Sequence, residues 1–151
     1  MQNNRREFFI KAASMLGVAV SATSVATLLA SCEEDTIKNS GQTISVDISG
    51  DKALETVGGV VAKTIGGNST VVVRASESEY VVLSRVCSHQ GCTVSVPANA
   101  SERIVCPCHL AEFNPLTGAQ VKEPNASGTR GPLKRYASSY NPSTKTLTVT
   151  L

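Results

Sequence analysis

Two short boxes hold four of the five cysteines and both histidines of the chain. The first box, residues 87–92, reads C-S-H-Q-G-C, and the second box, residues 106–109, reads C-P-C-H. Each box offers one thiolate and one imidazole at ligand spacing; the pairs are Cys87 with His89 and Cys106 with His109. Thiolates and neutral imidazoles suit zinc or an iron–sulfur cluster. The boxes therefore predict one metal centre that takes ligands from both boxes.

Each box also carries one further cysteine, and these two, Cys92 and Cys108, are placed to bond to each other beside the metal centre. Such a disulfide is permissible in an exported protein. Two alternatives stay open on the residues alone: a structural Cys2His2 zinc site, and a thiol redox role for Cys92 and Cys108. Colour and the EPR spectrum of the reduced protein would distinguish a cluster from zinc.

The elements that position the boxes are predicted to be β-strands. Ile44, Val46 and Ile48 alternate with polar residues, which indicates a half-buried strand. Further Val- and Ile-rich runs are separated by turn residues. The predicted strands are 43–48, 59–65, 70–76, 80–86, 93–96, 103–106, 119–122, 133–137 and 146–151, with a helical turn or loop at 52–56, a turn at 114–118 and a loop at 123–132. Such regular strands, without a helical pattern after the leader, indicate one all-β antiparallel domain over residues 43–151.

The first 31 residues are predicted to be a signal peptide whose apolar part forms a helix. Arg5 and Arg6 precede twenty uncharged residues, an order typical of twin-arginine export signals. The run ends in L-L-A-S-C, which resembles a bacterial lipobox and predicts lipidation of Cys32; an uncleaved transmembrane anchor is the alternative. Residues 32–42 then form a flexible tether. These features predict a membrane-anchored lipoprotein of the bacterial cell envelope, outside the cytoplasmic membrane.

The positive charge of the chain belongs to this leader. The whole sequence has 14 basic and 12 acidic residues. Residues 1–31 contribute three basic residues and one acidic residue, so the remainder has eleven of each and no net charge. A domain without basic excess is not expected to bind nucleic acid.

The two boxes together resemble the Rieske [2Fe–2S] family, in the disulfide-bearing branch that includes quinol–cytochrome c reductase and arsenite oxidase small subunits. The similarity extends over about residues 43–151. It implies stacked antiparallel sheets with cluster-binding loops at one end. By position, Cys87 and Cys106 would bind one iron, while His89 and His109 would bind the other and face the partner. The resemblance also implies a Cys92–Cys108 bridge and a loop near Pro124 that covers the cluster.

Three residues after the second box depart from the family pattern and are predicted to tune the cluster. Leu110, Ala111 and Phe113 stand where the family commonly has Gly, Ser and Tyr. The Ser and Tyr hydroxyls of the family stabilise the reduced state by donating hydrogen bonds to sulfur, and Ala111 and Phe113 cannot. We expect a reduction potential of roughly 0 to +150 mV, in the lower half of a range that reaches about +300 mV.

The implied function is one-electron transfer, with proton coupling available through the imidazoles. The expected partners are a redox protein (cytochrome b, cytochrome c or a molybdoenzyme), with a quinol as a further candidate. Leu110 and the lipid anchor favour a role in an exported oxidoreductase. The disulfide and the proline-containing loop favour a quinol–cytochrome c reductase subunit. Both readings remain open at the level of sequence.

Overall fold

The computed structural model describes residues 41–151. The predicted leader, Cys32 and the tether up to residue 40 lie outside the described residues. Within 41–151, no helix is long and apolar enough to cross a membrane. This part contains a short 3₁₀ helix, Lys52–Glu55, and nine strands: β1 Thr43–Asp47, β2 Val60–Ile65, β3 Asn68–Arg74, β4 Tyr80–Ser84, β5 Ile104–Val105, β6 Glu112–Phe113, β7 Gln120–Lys122, β8 Arg135–Asn141 and β9 Thr146–Thr150.

Six strands form the larger sheet, in the order β1-β9-β8-β4-β3-β2, and every neighbouring pair is antiparallel. All five residues of β4 are buried, which fits its place inside the sheet. The strand β8 is long enough to serve two partners. Its first two residues pair with β4, and the rest, from Ala137 to Asn141, pair with β9.

The three shortest strands form a second sheet, in the order β5-β6-β7, and this sheet carries the second box. Phe113 pairs with Ile104 across it, and both side chains are fully buried. They join a core cluster that also contains Cys87 and Cys106. The first cysteine of each box is therefore rooted in the hydrophobic core, while the rest of each box extends beyond it.

The all-β prediction is confirmed, and three of its details are corrected. Residues 93–96 do not form a strand, since Val94 N–H donates to Arg85 and Ser95 N–H donates to Val105, so no single ladder develops. Only a Val86–Thr93 bridge remains. The strand β6 stands at residues 112–113, where the sequence predicts no element, because two residues carry no periodicity. The strand predicted at 133–137 instead starts at Arg135 and continues to Asn141.

Candidate metal centre

The two boxes lie in loops that share one backbone hydrogen-bond pattern. In the first loop, Cys87 N–H donates to the carbonyl of Cys92 at 2.8 Å, and Gly91 N–H donates back to the carbonyl of Cys87 at 2.9 Å. In the second loop, Cys106 N–H donates to the carbonyl of Ala111 at 2.8 Å, and Leu110 N–H donates back to Cys106 at 3.0 Å. Each loop thus closes on its own first cysteine, which holds the thiol and the following histidine at a defined spacing.

The fifth residue of each loop has a positive φ angle. Gly91 has φ +75°, which the tight turn of the first loop requires, and a glycine adopts this φ without steric cost. The matching residue of the second loop is Leu110, with φ +58°. For an L-residue with a side chain this left-handed conformation costs roughly 1–2 kcal/mol. The sequence pattern does not predict the strain at Leu110, because that strain results from closure of the second loop.

The two imidazoles meet at their Nδ1 atoms. Nδ1 of His89 lies 3.2 Å from Nδ1 of His109, and the ring planes are nearly perpendicular, at 82°. Two nitrogens that are each about 2.0–2.1 Å from one tetrahedral ion stand ~3.3–3.4 Å apart. The pair therefore has the spacing that a single metal ion requires of two nitrogen ligands.

The two free thiols lie in the hydrophobic core. Cys87 is 3 % exposed, Cys106 is 1 % exposed, and neither is in a disulfide. Burial raises the pKa of the Cys87 thiol above its ordinary value, and the adjacent Cys106 raises it further. Backbone N–H groups of His89 and Gln90 act in the opposite direction, because they donate towards the Cys87 sulfur. A positively charged metal centre would also lower the pKa of the Cys87 thiol, so the site is suited to a metal-bound thiolate.

A disulfide joins the boxes, as the resemblance implies. Cys92 and Cys108 are bonded, with their Cα atoms 6.5 Å apart. The Cys106 sulfur lies within 4.8 Å of both bridge sulfurs. Because the thiols of Cys92 and Cys108 are used in the bridge, Cys106 is the cysteine of that group that remains available to a metal.

Residues 123–132, named here the cover loop, lie against both boxes. Asn125 N–H donates to the carbonyl of His109 at 2.8 Å. The hydroxyl of Ser88 donates to the carbonyl of Gly131 at 2.7 Å. The carbonyl of Ser127 accepts a hydrogen bond from Nε2 of His89 at 3.1 Å. Pro124 is buried at the start of the loop.

The cover loop makes the two histidines unequal. The resemblance implies that both face the partner, but His89 is 8 % exposed and lies beneath the loop, whereas His109 is partly exposed. Sequence reasoning missed Ser88, Ser127 and Gly128 as contacts of this site. Glycines in the loop were visible in the sequence, but only as breakers of regular structure.

The three predicted tuning residues separate into one at the surface and two in the core. Leu110 is 46 % exposed beside His109. Ala111 is 1 % exposed and Phe113 is fully buried, both in the cluster that contains the free cysteines. Cys32 lies outside the described residues. The structure thus places His89 against His109 and Cys87 beside Cys106, in two loops that the disulfide joins.

Comparison with known proteins decides which family this arrangement represents. Residues 29–137, well over half of the 151, match the family described as Rieske [2Fe-2S] domain. The chain belongs to this family. A Rieske domain binds a [2Fe–2S] cluster and transfers electrons, and the four convergent side chains fit two irons with two thiolate and two imidazole ligands.

Individual relatives match over short segments. A protein named as a candidate respiratory nitrate reductase subunit Rieske, from Haloferax mediterranei, is 45 % identical over 42 residues, which are 28 % of this chain and 18 % of the relative. The cytochrome bc1 complex Rieske iron-sulfur subunit of Mycobacterium tuberculosis is 45 % identical over 38 residues, which are 25 % of this chain and 9 % of that subunit. The matched segment is thus less than a fifth of the length of either relative.

Among solved structures, the fold is similar to a chain of the oxygenase and ferredoxin complex of carbazole 1,9a-dioxygenase. The TM-score is 0.51 at 16 % sequence identity, and the similarity covers 74 % of this chain and 29 % of that chain. At this identity the likeness supports the Rieske fold alone. It agrees with the all-β antiparallel fold described above.

Proposed function

We propose that this chain is a membrane-tethered electron carrier that serves an exported or membrane-bound oxidoreductase. In this proposal Cys87 and Cys106 hold one iron of the [2Fe–2S] cluster, and His89 and His109 hold the other. The observation that carries the ligand assignment is the 3.2 Å approach of the two Nδ1 atoms, together with the two buried free thiols of the same boxes. Two neutral imidazoles in place of two thiolates reduce the negative charge of the cluster, so an added electron is better tolerated.

The ligand assignment is tested by exchanging cysteines one at a time. Cys106→Ser is expected to abolish the EPR signal of the dithionite-reduced protein, because a serine hydroxyl is a poor substitute for a buried thiolate. Cys32→Ser makes the same chemical change outside the site and is the matched control, expected to retain the signal. A Cys106→Ser protein with the wild-type spectrum would exclude this ligand set.

The membrane tether is proposed from the sequence of the leader. The L-L-A-S-C run supports lipidation of Cys32, and an exported location agrees with the Cys92–Cys108 bridge. Wild-type protein is expected in the membrane fraction after a high-salt wash, with a lipid adduct on Cys32 by mass spectrometry. Cys32→Ser is expected to lose the adduct and to appear in the soluble fraction. Retention of Cys32→Ser in the membrane would favour the uncleaved transmembrane anchor instead.

The partner is proposed to be a redox protein other than a quinol-oxidising cytochrome b. Leu110 places a half-exposed apolar side chain beside His109, at the edge where a partner would approach. A quinol–cytochrome c reductase role is the second candidate, and the likeness to the bc1 subunit from Mycobacterium tuberculosis favours it. Purification of the native protein from solubilised membranes distinguishes the two. A co-purifying molybdoenzyme supports the first candidate, and a cytochrome b with quinol-dependent reduction of the cluster supports the second.

A further inference from the structure

We propose that the Ser127 carbonyl and the Gly128 backbone hold His89 away from the redox partner, so that His109 is the single cluster imidazole open to contact. This inference rests on the ligand set proposed above and deepens it by assigning unequal roles to the two histidines. Ser127 and Gly128 act as positioning residues, since they contact the ligand ring.

The contact with Ser127 fixes the orientation of the His89 ring. A carbonyl oxygen can only accept, so Nε2 of His89 carries the proton in the 3.1 Å hydrogen bond. The lone pair is then on Nδ1, the atom that faces Nδ1 of His109 at 3.2 Å. Histidine ligands are commonly oriented by such a hydrogen bond to the second ring nitrogen. Among residues 41–151, Nε2 of His109 has no corresponding hydrogen bond.

Gly128 allows the loop to approach the ring closely. A Cβ atom at position 128 would stand 2.6 Å from Nε2 and 2.8 Å from Cδ2 of His89. Gly128 also has φ +144°, a conformation that residues with a side chain rarely adopt. Glycine is therefore required at this position both by the contact and by the backbone, and the outer edge of the His89 ring is covered by main chain.

The cover loop is hydrogen-bonded to the rest of the domain at several points. Asn125 N–H donates to His109, and the Ser88 hydroxyl donates to Gly131. Gly131 N–H in turn donates to the side-chain oxygen of Gln120, which lies on β7. These hydrogen bonds flank the Ser127–Gly128 contact on both sides in sequence. The cover loop is therefore held against His89 by hydrogen bonds to both boxes and to the small sheet.

The consequence is a single open face at the cluster end. His89 is 8 % exposed, while His109 is partly exposed and is followed by Leu110, which is 46 % exposed. A partner or a small reagent that approaches the ligand rings from solvent therefore meets His109 first. We expect protein contact, hydrogen bonding from a bound molecule and covalent modification at an imidazole to occur at His109.

The experiment treats the oxidised, cluster-loaded protein with diethyl pyrocarbonate, which acylates an accessible imidazole nitrogen, and locates the adducts by peptide mass spectrometry. His109 is expected to be labelled at least ten times faster than His89. Equal labelling of the two histidines, or faster labelling of His89, overturns the inference. This comparison uses wild-type protein and does not depend on any variant.

Gly128→Ala tests the origin of the selectivity. The added methyl group is expected to displace the loop and to raise His89 labelling to within about threefold of His109, at unchanged iron content. Thr129→Ala is the matched control on the same loop, because the Thr129 side chain is exposed; it is expected to keep the wild-type ratio. Unaltered labelling in a cluster-containing Gly128→Ala protein overturns the role of Gly128. If that variant loses its cluster, the ratio of His109 to His89 labelling in wild-type protein decides whether the inference stands. An EPR spectrum without the cluster signal overturns the proposed function and this inference with it.

Discussion

Replacing Ala111 with serine places one hydroxyl group against the sulfur atoms of the site. Ala111 is 1 % exposed, and its carbonyl accepts the Cys106 N–H, so its side chain lies close to the second box. The other side chains of its core cluster are hydrocarbon, apart from the cysteines. A buried hydroxyl without a partner costs about 1–3 kcal/mol. The hydroxyl of Ala111→Ser is therefore expected to donate to sulfur.

The expected effect is a rise in reduction potential of about 40 mV. A hydrogen bond to a charged group contributes roughly 1.5–3 kcal/mol, against about 0.5–1.5 kcal/mol for a neutral pair. Reduction adds one negative charge to the sulfur side of the bond, so the reduced state gains about 1 kcal/mol more than the oxidised state. For a one-electron couple, ~59 mV corresponds to a tenfold change, or about 1.4 kcal/mol, which converts this gain to about 40 mV.

Protein-film voltammetry at one pH and ionic strength measures the shift against wild type. Ala119→Ser is the control, because Ala119 is exposed directly before β7 and the added hydroxyl would be solvated. The potential of this variant is expected to stay within about 10 mV of wild type. A shift of Ala111→Ser below that level, or a negative one, would refute the reasoning. Either result would mean that a hydroxyl at position 111 does not stabilise the reduced cluster, and that Ala111 does not lower the potential of this protein.

Two further predictions concern the loops themselves. Replacing both Cys92 and Cys108 with serine opens a cross-link with a sequence separation of 16, which should cost about 3 kcal/mol and lower the midpoint of thermal cluster loss by more than about 10 °C; an unchanged midpoint would show that the metal ligands alone hold the boxes together. Gly91→Ala should lower the free energy of unfolding by about 1 kcal/mol, because it forces a side chain into φ +75°. Leu110→Gly should leave the free energy of unfolding within about 0.5 kcal/mol of wild type, since relief of strain offsets the greater entropy of the unfolded chain. Thermal unfolding followed by visible circular dichroism measures both variants, and a larger loss in Leu110→Gly than in Gly91→Ala would contradict the assignment of strain.

The strands that could be predicted are those whose own residues define them. β1, β2, β4 and β9 carry alternation or apolar runs between turn residues, and the structure places them within about a residue or two of the expected bounds. The failures lie around the boxes. Residues 93–96 alternate like a strand, but their N–H groups are divided between Arg85 and Val105. β6 consists of two residues that become a strand only because β5 and β7 lie on either side.

The candidate residues of the site could be predicted before the fold was known. Residue types and spacing within the boxes, together with the family resemblance, indicated the four candidate ligands, the bridge and the three tuning positions, because ligand identity and short-range spacing are local properties of the chain. The structure pairs Cys92 with Cys108 and brings the candidate ligands together.

The difference between the two histidines depends on the folded chain. His89 and His109 look equivalent in the sequence, one in each box. Their difference arises from a segment some twenty to forty residues further along the chain, whose Ser127 carbonyl and Gly128 backbone cover one ring and leave the other open. The strain at Leu110 has the same kind of origin, since it follows from closing the second loop onto Cys106. A backbone contact leaves at most a glycine in the sequence, and that glycine does not tell which ring it lies against, so the exposure of each ligand follows only from the fold.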